Sequence, residues 1–410
     1  MSQFDPTVPR TVTSYGRSLT KPKSLLIRAL SRILSNLECG RIVVTLPGGE
    51  RFEHSAPRPG PEAVLTVHRW RALWRTIARG DIGFAEAFID GDCSSPDLAK
   101  VIELFVRSQA TLDKVAGLAP VRLINRLRHM ARANTKRGSK RNIVAHYDLG
   151  NDFFARWLDD GMSYSSALYT AAGQTLEAAQ TAKQDKILDE LALAPGNSVL
   201  EIGCGWGGLA ERIARKGAHV TALTLSPSQL ACAKARLAAS GEACDLRLQD
   251  YRDVRGTFDR IVSIEMLEAV GRAYWPSYFA MIRDRLARDG QAVLQVITLD
   301  ESRYDTYTRQ VDFIQRYIFP GGMLPTPAIM REQIAAAGLA LKSTFTFGES
   351  YANTLAEWSR RFHGALPAIE AMGLDEKFQR LWAYYLAYCE GGFRAGVLDV
   401  GLYTIAHAEG

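Results

Sequence analysis

The segment that most constrains the fold is a short apolar run followed at once by closely spaced glycines. Residues 198–208 read Ser-Val-Leu-Glu-Ile-Gly-Cys-Gly-Trp-Gly-Gly. Val199, Leu200 and Ile202 suit a strand that is buried on both faces, and the glycines let the backbone turn sharply beside a ligand. Residues 209–216 predict a helix whose free N–H groups point into that turn. The segment therefore predicts a strand, a glycine loop and a helix that bind a nucleotide-like cofactor.

Two kinds of cofactor fit such a loop, and the following strands favour one of them. A dinucleotide site needs an acid about 20 residues downstream for the ribose, but the next predicted strand, 218–225, ends in Thr-Leu-Ser without a carboxylate. The strand after it ends in Gln249-Asp250, where an adenine amino group can be held. Glu201 lies just inside the first turn, the usual place for the acid of an S-adenosylmethionine (SAM) site. These features favour SAM over a dinucleotide.

Length and composition indicate a globular protein with more than one core. The 410 residues exceed one ordinary core, so two domains are expected. The chain is 47% hydrophobic and 23% charged, and no apolar run approaches the roughly 18 residues of a membrane span. The six cysteines are scattered without a CxxC pair, which argues against a metal site or a disulfide framework. Their pattern and the absence of an export signal predict a reducing cytoplasm.

Positive charge is concentrated in one stretch. The net charge is +6, and residues 122–141 contain eight Lys or Arg and no acid. This run is either a solvated linker or a contact for phospholipid head groups or nucleic acid. Aromatic residues do not alternate with the charges, as a base-stacking surface requires, so a membrane is favoured over nucleic acid. The run also marks a domain boundary between residues 1–131 and 132–410.

The region before the basic run predicts a small α+β domain without an evident catalytic set. Residues 23–37 form an amphipathic helix that either packs on its own protein or lies on a membrane. The other predicted elements are a hairpin of 41–46 and 51–54, a strand at 64–67, helices at 69–78 and 97–108, and a loop at 80–83.

The region after the basic run predicts an α/β domain. Apolar strands alternate with helices, at 198–202, 218–225, 246–248, 259–264 and 291–297. Such alternation gives a doubly wound, mainly parallel sheet with ligands at the carboxyl ends of its strands.

Seven short motifs occur in order from residue 146 to near the end of the chain. They are His146-Tyr147-Asp148-x-Gly150-Asn151-Asp152, Tyr164-Ser165, the glycine loop, Thr224-Leu225-Ser226, Gln249-Asp250-Tyr251-Arg252-Asp253, Tyr317-Ile318-Phe319-Pro320-Gly321-Gly322 and Tyr384-Tyr385-x-x-x-Cys389. As a set they resemble the cyclopropane-fatty-acyl-phospholipid synthases, whose N-terminal lipid-associated domain is more loosely similar to residues 1–131. The resemblance implies a class I SAM-dependent methyltransferase fold. It also implies transfer of a methyl(ene) group from SAM to the double bond of an unsaturated acyl chain in a membrane phospholipid, forming a cyclopropane.

The resemblance also implies which residues bind SAM and which partners to expect. The cofactor residues are Tyr164, Ser165, Glu201, Gly203, Cys204, Gly205, Gly207, Thr224, Leu225, Ser226, Gln229, Asp250, Tyr251 and Arg252. With the basic run, the resemblance places the enzyme in the cytoplasm, peripherally at the inner face of the membrane. The expected partner is an unsaturated phospholipid and not nucleic acid, and a homodimer is allowed.

In these synthases a bound bicarbonate takes a proton from the new methyl group, which closes the ring. By family position its site falls on Ser166, Glu268, Gln295, Ile297 and Tyr351, and the family's C-terminal cysteine corresponds to Cys389. Many synthases carry cysteine at the first of these positions and histidine at the third. Serine and glutamine can still donate hydrogen bonds to an anion, but neither carries the charge of a protonated histidine.

These departures leave a second product open. Methyl transfer leaves a carbocation on the chain, which aromatic faces can stabilise; candidates are Tyr164, Tyr317, Phe319 and Tyr351. Loss of a proton from an adjacent chain carbon would give a methyl-branched unsaturated chain without a ring. A non-catalytic lipid-binding protein is disfavoured by the intact glycine loop and Glu268. An RNA or small-molecule methyltransferase is supported only by the basic run.

Overall fold

The computed structural model describes residues 13–15, 21–109, 111, 149–238 and 243–408. The chain divides into two compact units, the first from Met1–Ile124 and Leu374–Ala395, the second from Asn125–Gly373 and Gly396–Gly410. The expected boundary at residue 131, the basic run and the motif residues 146–148 lie outside the described residues. They therefore stay predictions.

A five-stranded sheet with helices forms the first unit. Its order is β1–β3–β2–β4–β5, with β2 antiparallel to β3 and parallel to β4. The predicted hairpin is therefore present. Leu30 and Leu34 of α1 are buried, so the stripe of this helix packs on its own protein. The elements are β1 (Thr13–Tyr15), α1 (Lys21–Leu34), β2 (Cys39–Thr45), β3 (Arg51–Ser55), β4 (Arg58–Val67), α2 (Arg71–Ile89), β5 (Cys93–Ser94) and α3 (Leu98–Arg107).

The expected loop at 80–83 is wrong, because α2 continues through it. Gly80 adopts φ 60° and ψ −137° and kinks the helix without ending it, a conformation that glycine tolerates. Ile82, Ala85 and Phe88 beyond the kink are buried. Their packing stabilises the second half of the helix, which the local glycine signal did not reveal.

A helix from the far end of the chain completes the first unit. This C-terminal helix, Glu376–Arg394, groups with the first unit, although the sequence assigns it to the methyltransferase domain. Arg380 donates hydrogen bonds to the carbonyl oxygens of Phe88 (2.7 Å) and Cys93 (2.8 Å). These bonds attach the helix to the end of α2 and to β5. Cys389 therefore lies on an element of the first unit.

A seven-stranded sheet with helices forms the second unit. The helices are α4 (Asn151–Phe154), α5 (Leu176–Glu190), α6 (Gly208–Arg215), α7 (Pro227–Leu237), α8 (Leu267–Val270), α9 (Trp275–Arg285), α10 (Glu301–Arg309), α11 (Pro327–Ala336), α12 (Gly348–Gly364) and α13 (Leu366–Ala371). The strands are β6 (Ser198–Ile202), β7 (His219–Thr224), β8 (Cys244–Leu248), β9 (Phe258–Ile264), β10 (Leu286–Leu299), β11 (Leu339–Thr346) and β12 (Leu398–His407).

The topology confirms the predicted doubly wound, mainly parallel sheet. The order is β11–β12–β10–β9–β6–β7–β8, in which β6 to β10 are parallel and β12 is antiparallel to both of its neighbours. The chain moves from β6 towards β8 on one side, and β9 and β10 lie on the other. The switch point is therefore between β6 and β9, where the loops after these strands form the usual ligand crevice.

Candidate active site

The glycine loop after β6 is held against the neighbouring strand and is open on its other side. The N–H groups of Gly203 and Cys204 donate to the carbonyl oxygen of Leu223, at 3.0 and 2.8 Å. Gly205 has φ +52°, and a Cβ added to it would meet no atom within 4 Å. A ligand can therefore approach the backbone closely at this residue, as a nucleotide-like cofactor requires.

Glu201 fits the role of a SAM ligand. It is 3% exposed at the end of β6, and its Oε2 has no hydrogen-bond partner among the described residues. A buried carboxylate oxygen is costly unless a ligand donates to it, and the ribose hydroxyls of SAM are suitable donors. Burial raises the pKa of this carboxyl to about 8.

Further cofactor candidates lie at the carboxyl ends of β7 and β8. The Thr224 hydroxyl donates to Gln229 Oε1 at 2.9 Å, and the Ser226 hydroxyl accepts from the Gln229 N–H and begins α7. Asp250 receives two hydrogen bonds from the Arg252 guanidinium, at 2.8 and 2.6 Å. These hydrogen bonds hold the side chains in place at the ends of β7 and β8, on one side of the strand that precedes the glycine loop. Their contact with SAM stays a prediction.

Tyr251 and Cys204 are both buried among other residues of the protein. Tyr251 is 7% exposed, and its ring packs 5.3 Å from that of Tyr278 in the core. Burial raises the pKa of the Cys204 thiol, which makes it a small apolar residue of the loop.

A buried lysine that the sequence analysis missed lies behind Ser165. Lys183 Nζ donates to Ser165 Oγ at 2.8 Å, and burial lowers the pKa of this lysine to about 8 although Glu265, Asp159 and Glu201 attract its charge. Its place on the buried stripe of α5 was a signal, since a lysine there needs a polar partner.

Aromatic rings support the loop and Tyr164. Trp157 is fully buried, and its ring lies 5.7 Å from Phe154, 5.6 Å from Tyr164 and 5.5 Å from Trp358. The ring of Phe154 lies 5.2 Å from that of Trp206 in the glycine loop. Packing of these rings therefore links the Tyr164 motif to the cofactor loop.

The main finding of the site is a carboxylate that the sequence analysis did not single out. Glu265 follows β9 directly and is partly buried. Its Oε1 accepts from the Ser166 N–H at 2.9 Å and from Gln295 Nε2 at 2.7 Å, and its Oε2 accepts from the Tyr351 hydroxyl at 2.7 Å. The structure thus brings together three residues of the expected anion site, and their hydrogen bonds go to the carboxylate of Glu265 and not to an external anion.

Glu268 and Ile297 form the other part of this cluster. Glu268 Oε1 accepts from the Ile297 N–H at 2.6 Å, and its Oε2 has no hydrogen-bond partner in the described part of the chain. Burial and the nearby charge of Glu265 raise the pKa of Glu268 to about 8. In the described part of the chain Glu265 accepts hydrogen bonds on both carboxyl oxygens, whereas Glu268 accepts them on Oε1 alone, so the two carboxyls differ in their tendency to ionise.

Three further candidates belong to other elements of the chain. Tyr317 is in the π-helical turn Ile314–Ile318, and Phe319 follows that turn. Cys389 is partly buried on the C-terminal helix of the first unit. Contacts of these residues with a substrate stay predictions.

A known protein family matches most of this chain. The family model of mycolic acid cyclopropane synthetase matches residues 134–402. This chain belongs to that family. It is accordingly a SAM-dependent methyltransferase, as the resemblance implied, and the family prediction is confirmed.

Some relatives of this chain are named as methyltransferases and others as cyclopropane synthases. The tuberculostearic acid methyltransferase UfaA1 of Mycobacterium tuberculosis is 40% identical over 359 residues, covering 83% of this chain and 82% of that protein. The cyclopropane-fatty-acyl-phospholipid synthase of Escherichia coli K12 is 36% identical over 350 residues, covering 82% and 85%. The crystal structure of mycolic acid cyclopropane synthase CmaA1, complexed with SAH and CTAB, has a TM-score of 0.62 at 32% identity, covering 65% of this chain and 97% of that one.

Replacing Gly205 by aspartate is expected to abolish measurable SAM binding. The new side chain would enter the open space beside the loop at a positive φ, where it would exclude the cofactor. Gly196→Asp is the matched control. Gly196 also has a positive φ, +83°, and open space around it, but it precedes the amino-terminal end of β6, away from the glycine loop. Calorimetry should detect SAM binding by the control alone, and undiminished affinity in Gly205→Asp would contradict the site.

Thermal stability is expected to depend on pH through Glu268. The folded protein keeps its carboxyl protonated up to about pH 8, whereas the unfolded chain releases this proton near its ordinary pKa. Stability from this group is therefore lost as pH rises from about 5 to about 8, on the order of 2–4 kcal/mol. Differential scanning calorimetry should show Glu268→Gln becoming more stable than wild type across this range. Parallel curves for the two proteins would contradict the assignment.

Proposed function

We propose that this enzyme methylates a double-bond carbon of an unsaturated acyl chain in a membrane phospholipid and releases a methylated alkene. The observation that carries the proposal is the buried cluster around Glu265 and Glu268 at the switch point, beside the glycine loop. An isolated alkene is a poor nucleophile, so the electrophilic methyl group that SAM supplies must be aligned with it in a dry site. Ser166 and Gln295 are fully buried, which supports such exclusion of water.

The cluster also suits the cationic stage of the reaction. Transfer of a methyl group to an alkene leaves a positive charge on the chain. The Glu265 carboxylate stabilises that charge electrostatically, and the face of Tyr351 adds a cation–π contact.

We favour loss of a proton from the acyl chain, without ring closure, because Glu265 takes the hydrogen bonds that a bicarbonate would need. The resemblance attributes ring closure to a bicarbonate held by Ser166, Gln295 and Tyr351, and these residues donate to Glu265 in this protein. The 40% identical relative named as a methyltransferase supports the same product class. Cyclopropane formation is the second candidate, supported by the 36% identical synthase and by the family itself.

Product analysis distinguishes the two candidates. The protein would be expressed in a host that makes unsaturated phospholipids, and the fatty-acid methyl esters would be analysed. Both products have the same added mass, so a double-bond derivatisation is required, because only the alkene reacts. Derivatised methylated chains support the proposal, unreactive ones indicate the cyclopropane, and no new ester relative to the Gly205→Asp control contradicts both.

We further propose peripheral binding at the cytoplasmic face of a membrane through the basic run. None of the described helices is both long and apolar enough to span a bilayer. Attraction of Lys and Arg to anionic lipid falls with ionic strength. Binding to acidic vesicles should therefore weaken several-fold between low and physiological salt, and replacing Arg137, Lys140 and Arg141 by glutamine should weaken it further. Vesicle sedimentation tests this, and binding independent of salt would contradict a role for the run.

A further inference from the structure

The Glu265 carboxylate occupies a site built for an anion. Its two oxygens accept from a backbone N–H, a side-chain amide and a phenol, which come from three separate regions of the chain. Carboxylate and bicarbonate present the same planar pair of acceptor oxygens. An external bicarbonate could use these donors only by displacing the side chain.

The backbone at Glu265 is also unusual. Its φ is +50°, a left-handed conformation that is unfavourable for a residue with a Cβ. Such conformations concentrate at functional sites, where the surrounding structure enforces them. Here the Glu265 N–H donates to the Gln295 carbonyl oxygen at 2.8 Å. Gln295 therefore holds both the backbone and the carboxylate of Glu265.

The charges around Glu265 suit a base. Hydrogen bonds from Tyr351, Ser166 and Gln295 and the charge of Lys183 favour its ionised form, whereas burial is the larger effect and raises its pKa. A carboxylate that is ionised and yet more basic than usual is a better proton acceptor. Glu268 is a second carboxyl near it, and burial together with the charge of Glu265 raises the pKa of Glu268 to about 8.

We propose that the Glu265 carboxylate is the base that deprotonates the alkylated chain, in place of bicarbonate. This inference rests on the proposed function. The alkene electron pair forms a bond to the methyl carbon, and the carbon–sulfur pair stays on sulfur, giving S-adenosylhomocysteine. Glu265 then takes a proton from a carbon next to the cationic centre, and the C–H electron pair becomes the new double bond. The proton passes from the Glu265 carboxyl to water after product release.

The first test is whether activity needs bicarbonate. Full-length protein, SAM and vesicles of unsaturated phospholipid would be assayed for S-adenosylhomocysteine in buffer freed of carbon dioxide. Wild-type turnover should be unchanged by removal of bicarbonate or by its addition at millimolar concentration. Loss of turnover on removal, restored by addition, would overturn the proposal.

The second test replaces the base. Glu265→Gln should lower turnover by about 10²–10⁴-fold with SAM affinity within about threefold of wild type, which also shows that the variant folds. Glu265→Asp keeps the charge and should lose less. Glu265→Ala opens space for an external anion, so added bicarbonate or formate should partly restore its turnover, whereas Glu265→Gln should not respond. The exposed Glu370→Gln, on α13, is the control and should be unchanged.

The outcomes separate this proposal from the proposed function. If wild type forms S-adenosylhomocysteine with the vesicles and Glu265→Gln does so equally fast, Glu265 is not the base although the function stands. If Glu265→Ala has reduced turnover that neither anion restores, while Glu265→Asp is no better, its role is structural and the proposal fails. If wild type forms none with any unsaturated phospholipid, the proposed function and the base are both wrong.

Discussion

At pH 9, where the Glu268 carboxyl is ionised, Glu268→Gln is expected to reduce turnover by about 10²–10³-fold while leaving SAM affinity nearly unchanged. Its carboxyl is buried and one oxygen has no hydrogen-bond partner among the described residues. A charge fixed beside a developing cation is worth a loss of this size when it is removed, and an amide cannot carry the charge.

The pH profile gives an independent check on Glu268. Because the pKa of its carboxyl is raised to about 8, wild-type turnover should rise as the pH passes through this value and the carboxylate forms. The same rise should be absent from Glu268→Gln, measured as S-adenosylhomocysteine formation between pH 6 and 9. A variant with wild-type turnover and an unchanged profile would show that Glu268 has no electrostatic role.

Trp157→Ala is expected to destabilise the second unit by about 3–5 kcal/mol. The side chain is fully buried, and four aromatic rings lie within 5.9 Å of its own: those of Phe153, Phe154, Tyr164 and Trp358. Removing it leaves a cavity that rigid rings cannot fill. Urea unfolding should show the loss as a lower midpoint.

The control for this prediction is Trp74→Ala. Trp74 is 60% exposed, so its removal should change stability by about 0.5 kcal/mol or less. Equal effects of the two substitutions would mean that the aromatic cluster contributes little to stability.

The sequence predicted the parts of the site that local patterns determine. The run from Val199 to the glycines contains the strand, the turn and the helix start within one short segment, so its structure could be inferred directly. The same is true of the Ser226 cap, since an N-cap is a local signal. The antiparallel strands β11 and β12 were not predicted, because their pairing depends on partners far along the chain.

Glu265 was missed for the same physical reason. Its hydrogen-bond donors are Ser166, Gln295 and Tyr351, from 30 to 99 residues away in sequence, and no local pattern brings them together. A signal existed, since Glu265 and Glu268 both follow a buried strand at its carboxyl end. The sequence analysis considered only the second, because the resemblance assigned a role to that position alone.

The C-terminal helix has a consequence for how the protein is made. A ribosome adds about 5–20 residues per second, so α2 and α3 are synthesised long before Arg380 can bond to the carbonyl oxygens of Phe88 and Cys93. The first unit therefore cannot reach its final packing until the second has almost wholly emerged. A fragment ended near residue 131 would lack this helix and expose the apolar surface beneath it, which makes such a fragment prone to aggregate.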